Sequence, residues 1–205
     1  MDTLLAAREL AAIAQTGTHF ATDRYDQERY QRVAELAAHL LATCADVPAE
    51  TVYAWSKEEF GYATPKIDVR AFILDAERVL LVREDADKGR WTLPGGWADV
   101  NESPAESVVR EVEEESGYVV KPLRLLAVFD REKQGHTPPL PYHVYKLFFH
   151  CVITAGSAKK TAESSESAFF TEAGLPDLSL GRVLPGQLRG FFEAIRSGRT
   201  ETKFD

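Results

Sequence analysis

The chain has 205 residues, 44% hydrophobic and 10% aromatic, enough to fill a core and to exclude wholesale disorder. Its 24 basic and 32 acidic residues leave a net charge of −8, so bulk electrostatics do not suit it to holding polyanions; an anionic substrate is compatible where a divalent cation mediates contact. No stretch approaches the roughly 20 apolar residues of a bilayer span, the first residues lack a signal-peptide pattern, and Cys44 and Cys151 make no disulfide or zinc framework, so a cytoplasmic protein with no membrane contact is expected.

In chain order, the first 60 residues read as helices. Leu4, Leu5, Leu10 and Ile13 recur at helical spacing, with Gly17 as the stop. A second stripe runs through Tyr30, Val33, Leu36, Ala37, Leu40 and Leu41, and Pro48-Ala49-Glu50 opens a short third helix carrying Val52 and Trp55. These stripes exceed what a solvated tail needs, so Leu36, Leu40, Leu41, Val52 and Trp55 are expected to be buried against something. The break at Gly61–Pro65 divides the chain into a helical domain, 1–62, and a second domain, 63–205. In the latter, Ile67–Leu74 and Val79–Arg83 read as a hairpin. A glycine-rich loop, a helix over Pro104–Ser116, strands at Leu123–Phe129, Val144–Ile153 and Ser167–Phe170, and a closing helix over Leu188–Ile195 follow. The fold class is α+β in layers, with a small all-α domain in front.

The segment Gly96–Tyr118, GWADVNESPAESVVREVEEESGY, carries the chemistry. Ser103, Pro104 and Glu106 form a capping box and Gly117 supplies the permissive residue past the helix end. At about 100° per residue, Glu111, Glu114 and Glu115 share one face, and Glu113 points elsewhere. Stacked carboxylates repel by roughly tenths of a kcal/mol per exposed pair, and a helix C-terminus does not favour anions. A bound hard cation would resolve that conflict, and an oxygen-only donor set selects Mg²⁺ or Mn²⁺. A solvated acidic face explains the glutamates equally well when they are taken alone.

The spacing to the preceding loop separates the two readings. Gly96, Glu102, Arg110, Glu111, Val112, Glu114, Glu115, Gly117 and Tyr118 stand where the signature of the Nudix hydrolases has its fixed positions, and Trp91–Gly95 resembles the usual approach to it. The resemblance implies a mixed sheet sandwiched between helices from about Pro65 onward. It implies that Glu111, Glu114 and Glu115 hold the metals with the Gly95 carbonyl, that Arg110 orients the glutamates, and that Glu102 supports loop and helix. The family attacks, with water, the pyrophosphate of a nucleoside diphosphate linked to another moiety. Carboxylate-held metals supply the charge neutralisation such hydrolysis needs.

Outside the signature, Glu163 and Glu166 are candidates for the general base, against the plainer reading of solvated loop carboxylates. Arg70 and Arg83 are expected on strands flanking the site, meeting either substrate phosphate or surface partners. The polar segment Asp130–Pro139 reads as a substrate-covering loop, with His136 a loop histidine. Phe20, Tyr25, Tyr30, Phe60 and Tyr62 read as packing residues, of which one or two could stack on a substrate base. The whole chain resembles a bacterial Nudix subgroup with a helical N-terminal domain that includes ADP-ribose and CDP-choline pyrophosphatases. That implies a small-molecule nucleotide substrate, a homodimer, and release of a nucleoside monophosphate plus phosphorylated X. The alternatives are a nucleotide-sensing module without catalysis and an enzyme acting on RNA ends; the full set of glutamates counts against the first and the net charge against the second.

Overall fold

The computed structural model describes residues 2–45, 47–58, 61–160 and 164–205, without the side chains of Trp55, Lys57 and Glu58. The chain forms two compact units. One comprises Met1–Lys66 with Pro138–His143, the other Ile67–Thr137 with Val144–Asp205.

The first unit is three helices: α1 (Thr3–Phe20), α2 (Arg24–Ala45) and α3 (Ala49–Glu58). Asp2 caps α1 by accepting the Leu4 amide at 2.8 Å. Gly17 does not stop the helix. It lies within α1 because a Cβ there would overlap the Tyr30 ring of α2, so the glycine is a packing notch. Ala7, Ala38, Leu41 and Val52 form the small core. Leu36 and Leu40 are not buried: they stay 47% and 38% exposed. Residues 138–143 join this unit through Arg8, which donates to the Leu140 carbonyl, and through Lys66, whose amide meets the His143 carbonyl at 3.0 Å.

The second unit is a sheet clasped between two helices. Its strands are β1 (Lys66–Asp75), β2 (Arg78–Glu84), β3 (Arg90–Thr92), β4 (Tyr118–Asp130), β5 (Val144–Gly156), β6 (Ser164–Thr171) and β7 (Lys203–Phe204). Their order is β3-β2-β1-β5-β4-β7, with β6 antiparallel to β2 and β7 parallel to β4. Alternation along β1 sorts the two faces. Val69, Ala71 and Ile73 pack with Val108 and Val112 of α4 (Pro104–Ser116), while Phe72 packs with Leu188, Phe191 and Phe192 of α5 (Pro185–Arg196).

Each expected element forms, with extended ends. β4 begins five residues before Leu123, and β5 runs on to Gly156. The β4–β5 ladder shifts register at three places, one of them between Pro122 and Arg124, where a residue without an amide hydrogen is tolerated. Such bulges blur the period-2 pattern from which strand ends are read. The short β3 and β7 carry no pattern of their own.

Candidate active site

The glycine-rich loop runs alongside β1 as a further edge. Ala71 N donates to Pro94 O at 2.9 Å, Val69 N to Gly96 O at 2.8 Å, and Ala98 N to Ile67 O at 2.9 Å. Close approach demands the glycines. Gly95 has φ +140, and a Cβ there would overlap the Val69 carbonyl. A Cβ on Gly96 would stand 2.6 Å from the Glu111 carboxylate.

Opposite that loop lies α4, closed by the expected capping box at Ser103 and Glu106 and ended by Gly117 at φ +76. Glu111 and Glu115 are buried on the face toward the loop, Glu114 is more open, and Glu113 is exposed. Glu115 Oε2 accepts the Gly95 N–H at 2.8 Å. Arg110 gathers the rest. Its Nε meets both oxygens of Glu102 at 3.0 and 3.1 Å, and its Nη1 lies 2.9 Å from Glu111 Oε1 and from Glu114 Oε2. Nη2 donates to Trp97 O at 3.4 Å and faces Asp99 at 3.5 Å.

Desolvation sets the electrostatics. Burial pushes the Glu115 carboxyl up to about 7 against the attraction of Arg70. Burial also raises Glu111, with Arg110 opposing. Burial works against the Arg110 charge, but its bonds to Glu102, Glu114 and Glu111 hold it protonated beyond the ordinary guanidinium range. Two buried carboxyls that resist ionising, with hard oxygen donors and neither thiolate nor imidazole, fit a divalent cation. One guanidinium nitrogen already bridges Glu111 and Glu114. Glu115 is turned onto Gly95, and among the described residues no three acidic, His or Cys side chains are drawn together as a finished cage.

The remaining candidates fall in different places. Arg83 is half-exposed on β2, with Nε on Gly89 O at 3.2 Å and Nη1 3.8 Å from the exposed Glu166 carboxylate on β6. Glu163 lies outside the described residues. Arg70 departs from expectation: it is 4% exposed, neither at a solvent-facing phosphate site nor in a surface pair, because even β1 positions face inward under α5. It is held by Asp68 through Nε (3.0 Å) and Nη2 (2.8 Å). The segment Asp130–Pro139 is not a free lid. His136 is buried, its Nδ1 on Leu180 O at 2.9 Å and its Nε2 3.1 Å from Gln187, and Arg131 is buried beside Glu132.

Sequence reasoning missed Asp68 and Lys146. Lys146 Nζ lies 2.6 Å from Asp68 Oδ1, and both side chains are buried. The signal was a lysine amid the apolar run of β5, which reads as an outward-facing residue unless its strand partner is known.

Residues 64–185 match the model of the NUDIX domain. The chain belongs to the Nudix family. It is a pyrophosphohydrolase, and members of this family generally use divalent metal ions. Residues 1–55 match a family described as the UDP-X-like, N-terminal oligomerisation domain, which bears out the resemblance to a subgroup with a helical N-terminal domain. Across 97% of its length the chain is 44% identical to the Bacillus subtilis (strain 168) protein YjhB, provisionally described as an ADP-ribose pyrophosphatase, covering 95% of that protein. A crystal structure of a UDP-X diphosphatase is 33% identical, covers all of both chains and has a TM-score of 0.64. An ADP-ribose pyrophosphatase from Streptococcus suis 89-1591 is 40% identical over 69% of this Nudix chain and all of its own, with a TM-score of 0.63. Among the described residues, no helix is long and apolar enough to cross a membrane.

Proposed function

We propose that this Nudix hydrolase cleaves the diphosphate of a small nucleoside diphosphate linked to a second moiety, of the CDP-choline, ADP-ribose or UDP-X kind, with Mg²⁺ or Mn²⁺ as cofactor. The observation that carries the reading is the shared guanidinium: Arg110 holds Glu111 and Glu114 on one nitrogen while Glu115 is fixed by the Gly95 N–H. Glu111, Glu114 and Glu115, with the Gly95 carbonyl, would hold the metal. When bound, such an ion neutralises charge on the diphosphate oxygens and makes water more acidic.

The protein's own residues do the rest. Glu102 and Arg110 lock the carboxylates of α4 against the loop, and Arg83 meets a phosphate oxygen. A late carboxylate, Glu163 or Glu166, takes the proton from water. Water oxygen bonds to one phosphorus, the bridging oxygen leaves with the other, and a nucleoside monophosphate and phosphorylated X result. Hydrolysis in ¹⁸O-water of a panel of nucleoside diphosphate conjugates tests this. Label in one product phosphate, with neither inorganic phosphate nor free nucleoside released early, is the expected result; unlabelled products would overturn it.

We further propose that residues 1–62 and 63–205 divide the work, the former joining two copies into a homodimer. Supporting this are the oligomerisation-domain match and the exposed Leu36 and Leu40. No membrane partner enters the reading, and a net charge of −8 gives RNA ends no bulk electrostatic grip.

A further inference from the structure

Beneath the glycine loop, on the α5 side of β1, three charged side chains are sealed from water. Asp68, Arg70 and Lys146 are 5%, 4% and 1% exposed. Burying two cations and one anion is costly, and apolar residues of similar volume would serve packing as well or better. A buried lysine near the start of β5, between Val144 and Phe148 of the same face, therefore calls for a reason beyond stability. Burial drags its pKa down to about 8 against the pull of Asp68.

The contacts run in one direction. Lys146 Nζ meets Asp68 Oδ1 at 2.6 Å, and Asp68 takes Arg70 by two nitrogens. The third, Nη1, donates to the Leu93 carbonyl at 3.1 Å, two residues before Gly95. Gly95 in turn aims its N–H at Glu115. The cluster carries one surplus positive charge, and Arg70 attracts both Glu111 and Glu115 across β1. Brace and counter-charge thus coincide.

We propose that Lys146, acting through Asp68 and Arg70, is a positioning residue that fixes the Leu93–Gly96 loop so that Gly95 holds Glu115 in place for the metal. The inference rests on Glu115 being a metal carboxylate, as argued above. Lys146 touches no reacting atom. Its removal leaves Asp68 with one cation where it had two, and frees Arg70 to shift off Leu93.

The test compares Lys146→Met and Lys146→Arg with the parent protein. In Lys146→Met, Mn²⁺ affinity measured by paramagnetic resonance of the free ion should weaken about 10- to 100-fold. The kcat should fall by a similar factor at nearly constant KM, and the Gly95 amide resonance should move. Lys146→Arg, which restores the charge, should recover most of each. Retention of Mn²⁺ affinity, kcat and the Gly95 resonance within twofold or within error in a folded Lys146→Met protein would overturn the proposal. If Lys146→Met does not fold, Arg70→Lys, which keeps the charge but cannot span Asp68 and Leu93, should show the same losses, and unchanged values there overturn it equally. Absence of Mn²⁺ binding by the parent protein would instead sink the metal reading, while a Gly95 resonance moved by Lys146→Met would still support the brace.

Discussion

The Gly95 N–H and the Glu115 carboxylate, twenty residues apart in the chain, meet at 2.8 Å. The contact exists because Gly95 occupies a backbone region closed to other residues, pressed onto the Val69 carbonyl. Gly95→Ala should therefore displace the loop rather than merely strain it. The local strain is about 1–3 kcal/mol. We expect a lower melting temperature and Mn²⁺ binding weakened together with turnover. A variant with parental Mn²⁺ affinity would show that the contact does not set the site.

Arg110 and the glutamates separate by face. Under the proposed metal assignment, Glu111→Gln or Glu115→Gln removes a metal carboxylate while the capped helix stands, so activity should fall roughly 100- to 1,000-fold. Glu113→Gln, on the exposed side, should change kcat less than twofold. Arg110→Lys keeps the charge but replaces a fork that reaches Glu102, Glu111 and Glu114 with a point charge, and should cost about tenfold or more in kcat. Circular dichroism separates these losses from unfolding, and near-parental turnover in Glu115→Gln would refute the assignment.

Much of this site was legible because it is local. Ser103, Glu106, Gly117 and the i, i+3, i+4 glutamates obey helix geometry that a linear reading reproduces, and the loop spacing adds the partner. What escaped depends on strand pairing. Whether Arg70 faces water or α5 follows from which neighbours β1 acquires, and Lys146 meets Asp68 only because β5 lies next to β1. Gly17 read as a helix stop because a glycine's backbone freedom is visible in sequence and the Tyr30 ring that needs its space is not. The composition around His136 marks a loop, but its partners Leu180 and Gln187 are 44 and 51 residues away and leave no local signal.

His136 gives a pH signature. Burial holds it down to about 4 from an ordinary 6.5; Lys146 and Arg131 add to this, while Leu180 O and Asp68 oppose it. The unfolded chain binds the proton first, so this group's contribution to stability is complete above pH 6.5 and is lost as pH falls toward 4, by about 3 kcal/mol. Glu115, raised to about 7, contributes the opposite slope between about 7 and 4.5. The difference between the parent protein and His136→Gln therefore isolates the histidine. Denaturant unfolding at several pH values should give a gap between the two that narrows by about that amount on acidification from 6.5 to 4. A constant gap would mean that His136 is protonated in the folded state.

The helical unit offers the last test. Leu36 and Leu40 lie one turn apart on α2 and keep 47% and 38% of their surface, and Leu5 and Ile13 of α1 are about half exposed. Fully covering an exposed leucine is worth about 1.5–3 kcal/mol, so covering what remains open of these two contributes roughly 1–3 kcal/mol per copy. Carboxylates at the same positions would face one another unpaired in a closed dimer, at a cost of several kcal/mol. Leu36→Glu with Leu40→Glu should thus convert an oligomer at micromolar concentration into a monomer. Helicity should be retained, since Ala7, Ala38, Leu41 and Val52 still form the small core. Sedimentation velocity reads the state and circular dichroism the fold. If the parent sediments as a dimer and the doubly substituted chain does too, α2 is not the joining surface; a parent that sediments as a monomer would sink the homodimer proposal itself.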